Sequence, residues 1–423
     1  MKIKTKNMEF SSVEKIKPKK HLRPQKPWWI LGAAIRLISI PDLMATRFSY
    51  TKSRMDEAGK GPYLILMNHS SFIDLEIAYR IFFPKPFCTV CTSDGFVGKD
   101  FLMRKLGCIP TNKFVTDISL ISDMVHTVKK LDTSILMYPE ASYTFDGTAT
   151  PLPKRLGVLI KKLGIPVVTV MTDGAFLRQP LYNCLKKRKV KVSAHVNCLF
   201  SKKDIEEKSA DELSALLEET FKFDNFKKQL ENKVEVKEKF RADGLERILY
   251  KCPHCLSEEH MIGSGTTISC GNCGKTYEMD VFGQLSEISG DTKFSHIPDW
   301  YSWERECVRK EIQNGSYLLD TEVNIGVLAD RKAIYMVGEG RLIHNAEGFK
   351  LEGCDGLLSY TQSPLSSYGL YADYYWYEIG DTICIGNKER LYYLFPKKKE
   401  NVAKARLAAE ELYIHLSKKE ITV

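Results

Sequence analysis

From Tyr63 to Met67 the residues YLILM form an unbroken apolar run, the pattern of a short strand covered on both faces. Beyond a polar turn, apolar positions recur at Phe72, Ile73, Ile77 and Ile81, the spacing of one helix face. The same alternation returns downstream. Ser134–Tyr138 reads as a strand ending in Pro139 and Glu140, LPKRLGVLIKKLG (152–164) as a helix, and IPVVTVM (165–171) as another buried strand. Strands alternating with helices predict an α/β domain, a mostly parallel sheet flanked by helices. Such sheets hold ligands beyond the carboxyl ends of their strands, where His69, Glu140 and Asp173 fall.

After Ser201 the pattern becomes charged and helical. Past about Thr321 it changes to short alternating strands punctuated by Gly and Asn, closed by a helix from about Glu400 to Leu416. That order of elements resembles the pleckstrin-homology superfold. The expected organisation is a basic tail (1–27), interfacial helices (28–60) and an α/β domain with a helical carboxyl-terminal part (61–235). A connector with a four-cysteine segment (236–290), a linker helix (291–320) and a β-rich domain with a C-terminal helix (321–423) complete it. Trp300, Tyr301 and Trp303 of the linker helix are expected to pack on the cysteine segment.

Charge and composition refine the ends. The formal net charge is +9, and residues 1–26 carry nine Lys or Arg against two Glu. No secretory signal follows this run. WWILGAAIRLISIPDLMA (28–45) comes nearest to a membrane span, but Arg36, Pro41 and Asp42 interrupt it short of the roughly 20 apolar residues needed. Paired Trp, a short apolar helix and upstream basic residues fit a segment lying in the lipid headgroup region, on the cytoplasmic face of the cell membrane. A buried first helix with a solvated tail is the alternative.

Among twelve cysteines, Cys252, Cys255, Cys270 and Cys273 form two Cys-x-x-Cys pairs fourteen residues apart. Four thiolates close a tetrahedral zinc site and leave no position open for chemistry, so the expectation is a zinc ribbon with structural Zn2+. CTVC (88–91) has no second pair beside it and reads as core. GKT (274–276) lacks the first glycine of a phosphate-binding loop.

The chemistry concentrates in NHSSFIDLE (68–76). Ser71 and Asp74 stand near the spacing of a capping box, which would make His69 an incidental turn residue. His69 and Asp74 could equally be a base and its carboxylate. Together with YPEASYTFDGT (138–148), GIPVVTVMTDGAF (164–176) and the basic, glycine-containing segment 98–114, this stretch resembles the motifs of the 1-acylglycerol-3-phosphate acyltransferase family, the glycerolipid and lysophospholipid acyltransferases. The resemblance spans Trp28–Phe200.

What the resemblance implies is transfer of a fatty acyl group from acyl-CoA or acyl carrier protein (acyl-ACP) to a lysophospholipid hydroxyl at a membrane surface. His69 would be the general base, oriented by Asp74, in direct attack without an acyl-enzyme; amides near Ser71 are candidate oxyanion donors. Glu140, Ala141 and Ser142 would bind the acceptor, with Lys113 as a basic contact and Lys154 or Arg155 as others. The family commonly has Pro-Glu-Gly-Thr-Arg-Ser, whereas Tyr143 stands here in place of the arginine expected to hold a phosphate. Two rival readings are a zinc-ribbon nucleic-acid-binding protein, using the basic run KKRKVK (186–191), and an inactive lipid-binding scaffold. The family reading implies no nucleic-acid partner.

Overall fold

A computed structural model describes residues 2–115, 117–398 and 401–421, with side chains described as far as Ser417. The basic segment read as a tail over 1–27 packs on the rest of the chain. Thr5–Asn7 form β1, paired in parallel with Ile334–Asn345 of the carboxyl-terminal domain. Ile3, Phe10 and Val13 are buried, apolar anchors that the charge count conceals. His21 and Arg23 then meet the buried Asp123 at 2.9 and 3.2 Å.

Residues 28–45 fold as two short helices, Trp29–Ile38 and Ile40–Ala45, with Pro41 in the first turn of the second, where its missing N–H has no partner to lose. Their outer side is apolar: Trp29 is 72 % exposed, Ile38 78 % and Met44 72 %. Among the described residues, no helix is long and apolar enough to cross a membrane.

The α/β domain contains β2 (Ser49–Ser53), β3 (Leu64–Met67), β4 (Phe87–Thr92), β5 (Cys108–Thr111), β6 (Ser134–Met137), β7 (Val167–Asp173) and β8 (Ser193–Phe200). Their order is β2-β8-β7-β3-β6-β4-β5. All neighbours are parallel except β7 and β8, which run antiparallel. β3 and β6 are buried at every residue, which explains their unbroken apolar runs.

The four-cysteine segment forms a small antiparallel sheet of β9 (Met261–Ser264), β10 (Thr267–Cys270), β11 (Thr276–Met279) and β12 (Leu285–Glu287). The helix Ile297–Gln313 packs on it. Trp300 is fully buried, its ring 5.0 Å from that of Tyr277, and its indole N–H donates to the Lys251 carbonyl at 3.0 Å.

The carboxyl-terminal sheet comprises β13 (Leu319–Leu328), β14 (Ile334–Asn345), β15 (Gly348–Gly353), β16 (Leu358–Gln362), β17 (Tyr371–Trp376), β18 (Gly380–Gly386) and β19 (Leu391–Pro396). The order is β16-β15-β14-β13-β19-β18-β17, antiparallel throughout, with β1 added beside β14. A helix, Val402–Ile421, closes it and is joined to Ile297–Gln313 by Arg305 and Arg309 reaching Glu410 and Glu411. The whole sheet is pinned to the α/β domain. The Gly98 amide donates to the Arg331 carbonyl at 2.9 Å, Arg331 pairs with Asp100 at 3.0 Å, and Lys388 pairs with Asp117 at 3.1 Å.

Candidate active site

Where β3 ends, the buried Asn68 ties the turn to its neighbour β7. Its Oδ1 accepts from the Thr172 amide at 2.8 Å and hydroxyl at 3.1 Å, and its Nδ2 donates to Ser70 Oγ at 3.0 Å. His69 is then clamped through its backbone by the loop after β6. Its amide donates to Glu140 Oε1 at 3.0 Å, and its carbonyl accepts from the Thr144 amide at 3.3 Å.

The His69 side chain meets Asp74, with Nδ1 3.2 Å from Oδ2. The same oxygen accepts from the Ser70 and Ser71 amides at 2.8 and 3.1 Å. One carboxylate thus accepts from the turn that leads into the helix Ile73–Phe82 and also meets the imidazole. The Ser70 and Ser71 amides, expected as oxyanion donors, are committed to that carboxylate. Oδ2 already accepts from two backbone N–H groups, so the Nδ1–Oδ2 contact is formed with Nδ1 donating, which leaves Nε2 its lone pair.

Tyr138 and Tyr143 stack on the imidazole at centroid distances of 4.0 and 3.9 Å, and two near-parallel rings at that distance must occupy opposite faces. Burial holds the His69 pKa below the usual histidine value; Asp74 opposes the shift and Lys113 adds to it. The imidazole is accordingly neutral at pH 7.

His69 opens on a cavity of about 720 Å³, lined largely by apolar and aromatic side chains. One wall comes from the α/β domain, with Asp74, Ala141 and Lys113. The other comes from β17 and its flanks, with Tyr371, Asp373 and Trp376. Asp94 joins the walls, accepting from the Tyr371 hydroxyl at 2.8 Å and the Trp376 indole N–H at 3.2 Å.

Of the residues singled out in the sequence, His69, Asp74, Ala141, Lys113 and Arg155 line this cavity. Glu140 sits behind it, 1 % exposed, with Oε2 3.3 Å from the Thr150 hydroxyl. Burial pushes its carboxyl pKa up to about 8 against the hydrogen bonds from His69 and Thr150. Ser142 is buried in the same loop, its hydroxyl donating to the Tyr143 carbonyl at 3.4 Å. Ala141 takes a positive φ of 57°, a backbone state suited to the glycine common in the family. Lys154 lies over Tyr413, and Asp173 pairs with Lys228 on the surface. In the basic run, Lys186 and Lys187 pair with Asp243 and Asp42, and Arg188 is buried against Tyr182 and Asn183.

Tyr143 stood out in the sequence only as a departure from the family motif, and the stacking of Tyr138 and the whole β17 wall were not legible as parts of the site. The one available signal was the crowding of YADYYWYEIG (371–380), six aromatic or acidic side chains in the first seven residues with a lone aspartate among the rings.

A second constellation stands apart. Sγ of Cys252 and Cys273 are 3.7 Å apart, as are those of Cys255 and Cys270, and all four lie within 4.8 Å of one another. Thiolates about 2.3 Å from a tetrahedral zinc would stand roughly 3.8 Å apart, so the donor set fits a metal ion.

Comparison with known proteins matches residues 47–173 to the Acyltransferase family. No curated protein matches the chain. Among solved structures, the 1-acyl-sn-glycerophosphate (LPA) acyltransferase PlsC from Thermotoga maritima is similar at 17 % identity and a TM-score of 0.35, over 45 % of this chain and 76 % of that one. The acyltransferase resemblance of the sequence is thus matched over the segment that holds His69, Asp74, Lys113 and Glu140.

Proposed function

We propose that the protein transfers a fatty acyl group from acyl-CoA or acyl-ACP to the hydroxyl of a lysophospholipid. The observation that carries this reading is the His69–Asp74 contact of 3.2 Å opening on a large apolar cavity, within the segment matched to the Acyltransferase family. An alcohol is a poor nucleophile at neutral pH, so His69 Nε2 takes the hydroxyl proton as the oxygen attacks the thioester carbonyl carbon. The tetrahedral intermediate collapses with cleavage of the C–S bond, and the departing thiolate recovers the proton from the imidazolium. Asp74 fixes the tautomer and offsets the charge formed on the ring.

In this reading the exposed Trp29, Ile38 and Met44 insert into the cytoplasmic face of the membrane, where both substrates reside. Cys252, Cys255, Cys270 and Cys273 would hold a structural zinc that stabilises the small sheet and takes no part in the reaction. The carboxyl-terminal strand order and closing helix support a pleckstrin-homology-like domain.

The test is transfer from labelled acyl-CoA and acyl-ACP to lysophospholipids in mixed micelles, with the purified full chain. A labelled diacyl product from either donor is expected. No product from either donor, with the protein folded and membrane binding intact, would overturn the reading.

A further inference from the structure

The cavity wall donated by the carboxyl-terminal domain carries charge as well as rings. Lys113, on the loop after β5, projects to 4.2 Å from the centre of the Tyr371 ring. Asp373, on β17, lines the same cavity, one of its oxygens taken by the Tyr374 amide at 2.9 Å. The two groups feel each other electrostatically, each favouring the charged form of the other, against a burial that favours the neutral forms. Among the described residues they form no direct ion pair, so both charges remain open to something between them. Aromatic side chains line the same cavity, among them Tyr143, Tyr371 and Trp376.

Resting on the acyltransferase reading, we propose that this wall selects an acceptor whose headgroup is zwitterionic, a lysophospholipid carrying a phosphodiester and an ammonium, with the phosphate at Lys113 and the ammonium at Asp373 and the surrounding rings. The chemistry follows from counting charges. A phosphomonoester carries nearly two negative charges and is held best by a guanidinium fork or several cations. At that point in the acceptor loop the chain has Tyr143; Arg155 lines the cavity too, but the carboxylates acting on Lys113, Asp373 and Asp94, would repel a second negative charge there. A phosphodiester carries one negative charge, which one lysine balances. Its ammonium in turn satisfies Asp373 and gains from aromatic faces, which attract cations through the ring quadrupole. The inference also gives the carboxyl-terminal domain a task that the α/β domain alone leaves undone.

The test compares lysophospholipids of one acyl chain that differ only in headgroup: ethanolamine, choline, glycerol, and the bare phosphomonoester. Wild-type protein should favour the ammonium-bearing acceptors by about tenfold or more in kcat/KM, equivalent to about 1.4 kcal/mol. Asp373→Asn, which keeps an oxygen for the Tyr374 amide, should collapse that preference mainly through KM. Lys113→Met should weaken all phosphate-bearing acceptors and spare a neutral monoacylglycerol. Binding of short-chain soluble analogues of the same four lipids is measured by calorimetry in parallel. Selective binding abolished by Asp373→Asn upholds the inference even if no acyl transfer is found, which would sink only the acyltransferase reading. Transfer or binding that is indifferent to headgroup, or a preference unchanged in Asp373→Asn, overturns the inference and leaves the acyltransferase reading standing.

Discussion

The four-cysteine cluster and the His69 cavity are assembled in opposite ways. All four thiols come from one stretch, Cys252 to Cys273, and two tight knuckles bring them within 4.8 Å of one another. The cavity draws its His69–Asp74 pair from residues 69–74, its cation from 113, its stacking rings from 138–143 and its far wall from 371–377. Short-range geometry would make the first a unit of stability. Long-range packing makes the second a cavity whose parts can be separated by mutation.

The largest effect is expected at the cluster. Structural zinc sites contribute apparent free energies of roughly 10–16 kcal/mol in small domains. Joint replacement Cys252→Ser and Cys270→Ser should abolish metal content by mass spectrometry and expose the small sheet to proteolysis. An unchanged melting profile would remove the cluster from its structural role. Next comes Asp74→Asn, which leaves the imidazole in the wrong tautomer and should lower kcat by about 10²–10⁴-fold. Its stability should fall by only about 1 kcal/mol, the usual worth of a lost cap. A large loss of stability with kcat retained would make Asp74 a cap and nothing more.

Tyr371→Phe probes the seam between domains. Removing the hydroxyl leaves the buried Asp94 short of one donor, with about 1–3 kcal/mol of destabilisation. If the cavity is shared as described, kcat/KM falls too, although the residue is far from His69 in sequence; wild-type kinetics would detach the wall from the site. The pH profile follows the direction of the His69 shift. A base whose pKa is lowered stays unprotonated further into acid, so the acid limb of kcat/KM should have its midpoint below 6.5. A midpoint above 6.5 would assign the limb to another group. The smallest effect is expected for Glu140→Gln. A carboxyl with a pKa near 8 is mostly neutral at pH 7, and an amide keeps the acceptor for the His69 N–H, so activity should stay within about threefold. A severe loss would mean that a charge at 140 meets substrate directly.

The same contrast governs what could be read from the sequence. The cysteine spacing revealed the cluster because all four thiols come from the single stretch Cys252 to Cys273. The adjacency of His69 and Asp74 was legible for the same reason, since one turn and the start of one helix bring them together. The α/β alternation was visible because buried strands such as β3 and β6 are apolar at nearly every position, the buried Ser134 of β6 taking the Tyr63 amide. Contacts with large sequence separation left no such trace. Nothing around Tyr371 or Trp376 announces Asp94 as a partner, and nothing in a run of lysines announces that Thr5–Asn7 will join a strand near residue 335. The tyrosine stack is intermediate. Tyr143 stood out as a departure from the family, and the structure turns that departure into a ring lying on the imidazole.

His69 is proposed as the proton acceptor in a cavity that two domains build. The most direct measurement is single-turnover acyl transfer by wild-type protein and His69→Ala at matched metal content and matched melting temperature. A rate lower by about 10²–10⁴-fold or more in the variant is the predicted result. Equal rates in two equally folded proteins would contradict it.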